Sequence, residues 1–575
     1  MAYPELSPQA LELLRLRYLR RGPDGEPAED PEGFFRRVAV AVAAAERIFG
    51  GDPAPKAEAY YDLLRSLRFL PNTPALMNAG TGVGQLAACF VLPLEDSTES
   101  IYDSLKQMAL IHKSGGGTGF SFSRIRPEGD LVASTGGRAS GPLSFLELFD
   151  TSTWVIRQGG RRRGANMAVL RVDHPDVLAF CRAKLHGRFQ NFNFSVGYTD
   201  DFDRAVERGG EFTLINPRTG GPWRRLAARD VFEALVEGAW GTGDPGAVFL
   251  DAVNRANPCP QLGDLEATNP CGEQPLLPHE SCTLGSLNLA VFVRGAELDW
   301  DALADAARLG VEFLDDCLEV SVPPAEEIRL ANRRTRKIGL GVMGFADCLV
   351  ALGVPYASEA ARGLGRQIME RIEAAGVDAS RRLGERRGSF EAFAGSAWER
   401  RGLSAMRNAT VTTVAPTGSI SILAGVSGSI EPLFGLAYTR RIQGEVVSFG
   451  THRMLPSAFE AHGLSWPAWE EAIRREGRMG HLTQLPAALR RLFATTFEIA
   501  PADHLAVQAV FQERTHNAVS KTINLPADFP RDALGRVFRE AHALGLKGVT
   551  VYRYGSVPEQ PLEVGDHCNR CAPAA

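Results

Sequence analysis

From about residue 56 to Gly555 the chain alternates short apolar runs with longer amphipathic ones, and no polar linker or low-complexity stretch interrupts it. A single large α/β domain leaves this pattern. Strands buried on both faces read as continuous apolar runs, and the helices that cover them read as 3.6-residue stripes. Strands are predicted at 168–172, 212–215 and 549–552, and a long helix at 358–383. Ahead of this block, Ser7-Pro8 and Asp30-Pro31 are helix-start signals. The first is followed by Leu11, Leu14 and Leu19, the second by Phe34, Phe35, Val38 and Val42 before Gly50-Gly51. A small helical region is therefore predicted over 1–55. After Gly555, three prolines and little periodicity predict a flexible tail over 556–575, which carries Cys568 and Cys571.

Composition narrows the function classes. Acidic and basic side chains nearly balance, with a formal net charge of -5, so no global field draws the chain to nucleic acid or to anionic lipid. No apolar run approaches the ~18 residues that span a bilayer, and no basic-then-apolar leader opens the chain, so a cytoplasmic location is expected. Nine cysteines are few for 575 residues and odd in number. Reduced thiols are expected, and single cysteines are open to chemistry.

The most informative stretch is TNPCGEQPLLPHESCTLGSLNLA, 268–290. Cys271 lies between two chain breakers, Pro270 and Gly272, with Glu273 two residues on and Cys282 eleven residues beyond. A tight loop tip of this kind can carry a thiol and a carboxylate into one cavity, with the Asn269 amide beside them to hold a substrate hydroxyl. Taken alone, a lone cysteine in a turn is more often a buried structural residue. A second turn, Pro416-Thr417-Gly418-Ser419-Ile420, offers backbone N–H groups and hydroxyls to an anion, without the Gly-Lys-Ser/Thr of a Walker loop.

NPCGEQPL resembles the finger loop of ribonucleotide reductase large chains, and its distance to Cys282 is similar to that of the cobalamin-dependent, class II branch. The likeness continues through PNTPALMNAG (71–80), ACFVLPLEDS (88–97), KSGGGTGFSFSRIRP (113–127), QGGRRRGANMAVLRVDHPD (158–176), RKIGLGVMGFAD (336–347), APTGSISILAGVSGSIEP (415–432) and NAVSKTINLP (517–526). The resemblance implies a ten-stranded α/β barrel over 56–555, threaded by a central finger loop, that reduces ribonucleotides, as diphosphates, to 2'-deoxyribonucleotides through a thiyl radical. Carried over residue by residue, it makes Cys271 the thiyl radical, Glu273 the base for the 3'-hydroxyl, Asn269 the group that holds the sugar hydroxyls, and Cys89 with Cys282 the pair oxidised to a disulfide at each turnover. It implies substrate contacts at Thr73, Ala88 and Gly117 and phosphate contacts at Pro416, Thr417, Gly418, Ser419 and Ile420. A deoxynucleoside triphosphate effector is implied at Asp96, Ser97, Thr98 and Arg126, with residues 183–192 passing effector identity to the substrate base.

The radical source is implied in the same way. A class I chain receives its radical from a separate subunit through adjacent tyrosines, whereas here Arg553 separates Tyr552 from Tyr554. A class III chain carries a terminal glycyl radical motif, which the surroundings of Gly555 do not match. Adenosylcobalamin is the expected cofactor, and a class I-like catalytic subunit with a separate radical-generating partner is the alternative. Cys568 and Cys571 are expected to relay electrons from thioredoxin or a similar dithiol, since no second CxxC is present to complete a zinc site; no metal ligands are assigned. A homodimer is expected from the resemblance. The N-terminal region lacks the basic pattern of an ATP cone, so control of specificity but not of overall activity is expected. Gly339-x-Gly341-x-x-Gly344 satisfies a dinucleotide fingerprint, but no strand is predicted before it. Cys181, Cys317 and Cys348 are expected in the core, and Cys259 is given no role.

Overall fold

In a computed structural model, the described residues are 3–133, 135–156, 164–442, 445–557 and 562–565. Both start signals act as the sequence suggests. Ser7 and Asp30 accept hydrogen bonds from the first-turn amides of helices Pro8–Leu13 and Pro31–Ala43. The helical layer runs past 55, because Pro53–Arg65 packs on Pro31–Ala43 and buries Tyr60 and Leu64 in the same core as Phe34 and Phe35.

The centre is a barrel of two parallel halves. The first is β1 (Cys89–Leu92), β2 (Gly117–Ser121), β3 (Asn166–Arg171), β4 (Phe192–Tyr198) and β5 (Gly246–Phe249), each parallel to the next. The second begins with β6 (Ser281–Asn288) and β7 (Ile338–Met343), which pair in parallel. It ends with β8 (Thr522–Leu525) and β9 (Gly548–Arg553), also parallel. The halves meet antiparallel at β1/β6 and β5/β9. The continuous sheet has ten strands, one of which, Phe69–Pro71, leans on β6. The ring closes through the segment 410–414, bridged in parallel from Leu340 to Thr412 and from Val414 to Val519.

Both faces of this ring are dry, which is why its strands read as unbroken apolar runs. Along β1, Cys89 and Val91 point into the lumen while Phe90 and Leu92 join the outer core; Met167 and Val169 alternate in the same way with Ala168 and Leu170 on β3. The predicted strand at 212–215 forms, as Glu211–Ile215, but in a hairpin with Pro222–Ala227 outside the barrel. Gly339 and Gly341 lie within β7 and hold no nucleotide turn. A Cβ on Gly341 would stand 2.2 Å from the Thr413 carbonyl oxygen, so glycine there lets the closing segment approach. Cys181, Cys259, Cys317 and Cys348 are all buried. Within the stretch predicted to be a flexible tail, Leu562–Val564 forms a strand against Tyr438–Ile442; Cys568 and Cys571 lie outside the described residues. Among the described residues no helix is long and apolar enough to cross a membrane.

Candidate active site

A two-stranded ribbon, Ala267–Thr268 paired with Pro275–Leu276, lies in the lumen against β1, β2 and β3 and carries the loop 269–274 at its tip. Glycines on β2 make room for it. A Cβ at Gly119 would fall 1.7 Å from the Thr268 carbonyl oxygen, and one at Gly117 2.9 Å from the Pro270 ring. The loop is tied internally: Gly272 N–H donates to the Asn269 carbonyl at 3.1 Å, and Gln274 N–H to the Asn269 side-chain oxygen at 3.0 Å. Gly272 adopts a φ of 83°, a left-handed conformation that suits glycine and turns the chain at the tip. Several bonds hold the loop to the wall. Asn193 donates to the Pro270 carbonyl at 2.8 Å, and the Glu273 carbonyl accepts from Ala518 N–H at 2.9 Å and from the Thr413 hydroxyl at 3.1 Å.

Cys271 is exposed at this tip, while Cys89 and Cys282 are buried. Cys89 and Cys282 stand directly opposite in the antiparallel β1/β6 register. Such residues have Cα atoms roughly 4.5–5.5 Å apart, within the span of a disulfide. Asn269 Nδ2 lies 3.0 Å from Cys89 Sγ and Glu273 Oε1 lies 3.8 Å from it. The five residues singled out by the sequence therefore share one site. Burial pushes the Cys282 thiol well up, against the opposing charge of Lys337, so it stays protonated at neutral pH. Lys337 is itself buried and paired with Glu280 at 2.7 Å.

Thr73 caps its neighbourhood through Tyr18, whose hydroxyl lies 2.9 Å from the Thr73 hydroxyl. Ala88 N–H donates to the Cys282 carbonyl and Gly117 N–H to the Ala88 carbonyl, so both amides are used by the barrel. At the turn 416–420, Thr417 takes a φ of 56° and its hydroxyl accepts from Ser429 N–H at 2.7 Å. Ser419 accepts from Arg17 at 2.6 Å. Asp96 accepts from the Arg126 guanidinium at 2.7 Å, and Ser97 caps the helix Thr98–Lys113, which gathers the four effector-site candidates at one helix start. Residues 183–192 join helix Val177–Arg182 to β4 and face helix Pro142–Val155 through Arg188–Glu147 and the bond from Asn191 to Asp150.

A cavity of about 320 Å³ opens beside Pro270 between β4, β5 and β9. It is lined by Asn193, Thr242, Asp244 and Tyr552, and the buried Tyr552 hydroxyl has no partner among the described residues. A second cavity, about 470 Å³, adjoins the turn 416–420 and shares Phe434, Asn524 and Leu562 with the first. Tyr554 turns away from the first cavity and packs edge-on against Phe497 with ring centroids 5.1 Å apart.

Residues 87–552 match the family profile described as ribonucleotide reductase, barrel domain, and residues 4–84 match ribonucleotide reductase, all-alpha domain. The chain belongs to the ribonucleotide reductase family. It is 49% identical to a vitamin B12-dependent ribonucleoside-diphosphate reductase of Mycobacterium tuberculosis (strain CDC 1551 / Oshkosh), over 97% of this chain and 81% of that protein. A protein of the same name from Thermoplasma acidophilum is 42% identical over 98% and 80%. Among solved structures, the Actinobacillus ureae class Id ribonucleotide reductase alpha subunit superposes with a TM-score of 0.79 at 24% identity, covering 96% of this chain and 97% of that one, a likeness of fold.

Sequence reasoning missed Asn193, Thr413 and Ala518, which hold the finger loop, and Arg17, which reaches the turn 416–420 from the helical region. Each is remote in sequence from the group it holds, so no local pattern marks it. Gln274 lay in plain view inside the quoted motif; its amide donates to Thr413 at 2.9 Å.

Proposed function

We propose that this reductase converts ribonucleoside diphosphates to 2'-deoxyribonucleoside diphosphates by a thiyl-radical route with adenosylcobalamin as radical source. The observation that carries the reading is a loop that bears an exposed thiol, Cys271, and reaches the opposed buried pair Cys89 and Cys282 through Asn269 and Glu273, both of which contact Cys89.

The Cys271 sulfur radical takes the 3'-hydrogen of the ribose. Glu273 accepts the 3'-hydroxyl proton while Asn269 holds the hydroxyls, and deprotonation beside the radical centre speeds loss of the 2'-hydroxyl. That hydroxyl leaves as water with a proton from the facing thiols. Cys89 and Cys282 give up two electrons and two protons in all and become a disulfide, and Cys271 returns its hydrogen to C3'. A buried thiol whose pKa is raised, as at Cys282, suits this work because it delivers hydrogen and is a poor nucleophile. Cys271 is exposed in the free chain, so bound substrate and cofactor cover it and keep water from the radical.

Bound adenosylcobalamin supplies an organic radical able to take the hydrogen atom of the Cys271 thiol. The cavity beside Pro270, about 320 Å³, has room for the adenosyl part of the cofactor and not for its corrin: Asn193, Thr242 and Tyr552 line it with polar groups. Tyr554 packs on Phe497, which does not favour a relay through paired tyrosines from another subunit. The turn 416–420 takes substrate phosphate, and a deoxynucleoside triphosphate at Asp96, Ser97, Thr98 and Arg126 sets substrate choice, with Arg126 exchanging Asp96 for phosphate. Helices Thr98–Lys113 and Pro142–Val155 leave Tyr102, Trp154 and Val155 exposed, and a second copy covers them in a homodimer. Cys568 and Cys571 relay electrons from thioredoxin in a reducing, cytoplasmic setting.

The test is a single turnover. Pre-reduced Cys568→Ser protein, in which the tail cannot re-reduce the pair, with substrate and cofactor but no external dithiol, is expected to yield deoxynucleotide together with a Cys89–Cys282 cross-linked peptide. Product formed with both thiols still free would contradict the pairing.

A further inference from the structure

The turn 416–420 carries an electrostatic feature that the finger loop does not explain. Helix Pro8–Leu13 packs on helix Ile420–Ala424, with Ala10, Leu13 and Leu14 in the same core as Ile420 and Ile422. This packing brings the next turn, Leu14–Tyr18, to the substrate end of the barrel. There Arg17 donates to the Ser419 hydroxyl at 2.6 Å, and its Nε is buried without a partner among the described residues. A second guanidinium comes from the strand Tyr438–Ile442: Arg440 Nη2 lies 3.2 Å from where a Cβ on Gly418 would stand. Arg440 also lines the cavity of about 470 Å³ that borders Pro416 and Gly418.

Arginines elsewhere in this chain, such as Arg37, Arg336, Arg387 and Arg407, meet carboxylates. Among the described residues, neither Arg17 nor Arg440 does. Burial, and beyond it the charge of Arg17, push the Arg440 guanidinium below its ordinary value. Two cations drawn together over a turn of hydroxyls and amides, with no acid between them, form a site that an anion stabilises.

We propose that Arg17 and Arg440 are a two-guanidinium clamp on the terminal phosphate of the nucleoside diphosphate seated on the turn 416–420. The inference rests on the substrate reading above and adds two phosphate-positioning residues to it, one of them supplied by the all-alpha region. The helical region is thus part of the substrate site, and diphosphate binding ties it to the barrel. Hydrogen bonds to a charged group contribute enough that losing one guanidinium weakens binding about tenfold or more.

The test uses the full chain and two readouts, with thermal unfolding to show that each variant folds. The first readout is equilibrium binding of the four ribonucleoside diphosphates and of the matching phosphate-free nucleosides; the second is the steady-state rate. Arg17→Gln and Arg440→Gln are expected to raise Kd and KM for the diphosphate about tenfold or more, with kcat within about threefold and nucleoside binding unchanged. Arg17→Lys is expected to recover part of the loss. Unchanged diphosphate affinity in folded Arg17→Gln and Arg440→Gln overturns the clamp. Equal loss for nucleoside and diphosphate also overturns it, since it would mark a merely structural role. If wild-type protein binds diphosphate but forms no deoxynucleotide, the reductase reading fails while the binding comparison still decides the clamp. If Arg17→Gln does not fold, Arg440→Gln and Arg17→Lys decide it.

Discussion

At the scale of single residues the account divides the site into a radical thiol, a base and a reducing pair. Cys271→Ser is expected to lower deoxynucleotide formation about 10⁴-fold or more while substrate binding persists, since a unit of covalent catalysis is lost whole. Glu273→Gln is expected to lower kcat about 100-fold or more with KM little changed, the scale of a missing general base. Steady-state rates with a small dithiol check both, and near-normal turnover in either variant would remove its assignment. The loop with Asn269, Cys271 and Glu273 stood out because two breakers, Pro270 and Gly272, mark its tip, whereas Cys89, Cys282 and the roles of all five came from the family resemblance. Arg17, Asn193 and Thr413 were not legible, because each acts on a partner that only the folded barrel brings near, as Arg17 on Ser419.

At the scale of elements, the finger loop depends on the absence of side chains on β2. Gly119→Ala would press a methyl into the Thr268 carbonyl at 1.7 Å, so the ribbon must shift. The expected cost is about 3 kcal/mol or more, read as a fall in unfolding free energy together with loss of activity. The helix Pro501–Gln512 carries a second test. His504 is buried with Nδ1 3.0 Å from Lys521 Nζ and Nε2 3.1 Å from the Thr496 carbonyl. Burial first, then the Lys521 charge, push its pKa down to about 2 from 6.5. The unfolded chain therefore takes up a proton below pH 6.5 that the folded chain refuses. This contribution to stability is full above pH 6.5 and declines as pH falls from there toward about 2. In His504→Gln the fall in unfolding free energy between pH 6.5 and 4.5 is expected to be shallower by about 1.4 kcal/mol per pH unit. An unchanged slope would show that His504 is protonated in the fold. The strands of this barrel were visible as apolar runs. The period-two alternation was not, because lumen and outer faces are both dry, and the hairpin strand Glu211–Ile215 looked from its sequence like a barrel strand.

At the scale of the whole molecule, two antiparallel half-barrels leave one lumen, and Cys89, Cys282 and the ribbon whose loop carries Asn269, Cys271 and Glu273 are presented to it. Exposed Trp154, at 56%, and Val155, at 71%, end a helix on the outer wall. Val155→Asp is expected to shift sedimentation from dimer toward monomer, because an apolar face of this kind needs a cover and a buried charge does not suit it. A monomeric wild-type chain at micromolar concentration would rule out the dimer. Fold class could thus be read from sequence, and the structure brings Asn269 and Glu273 of the singled-out loop against Cys89. The closure through 410–414 could not be read, because irregular backbone leaves no periodic trace. The central claim is that this one chain reduces ribonucleotides with a radical raised by adenosylcobalamin. The most direct measurement is anaerobic conversion of a ribonucleoside diphosphate by the purified chain, with dithiothreitol and an effector, in the presence and absence of adenosylcobalamin. Deoxynucleotide only when the cofactor is added is the expected result; product without it, or none until a second protein is supplied, would contradict the account.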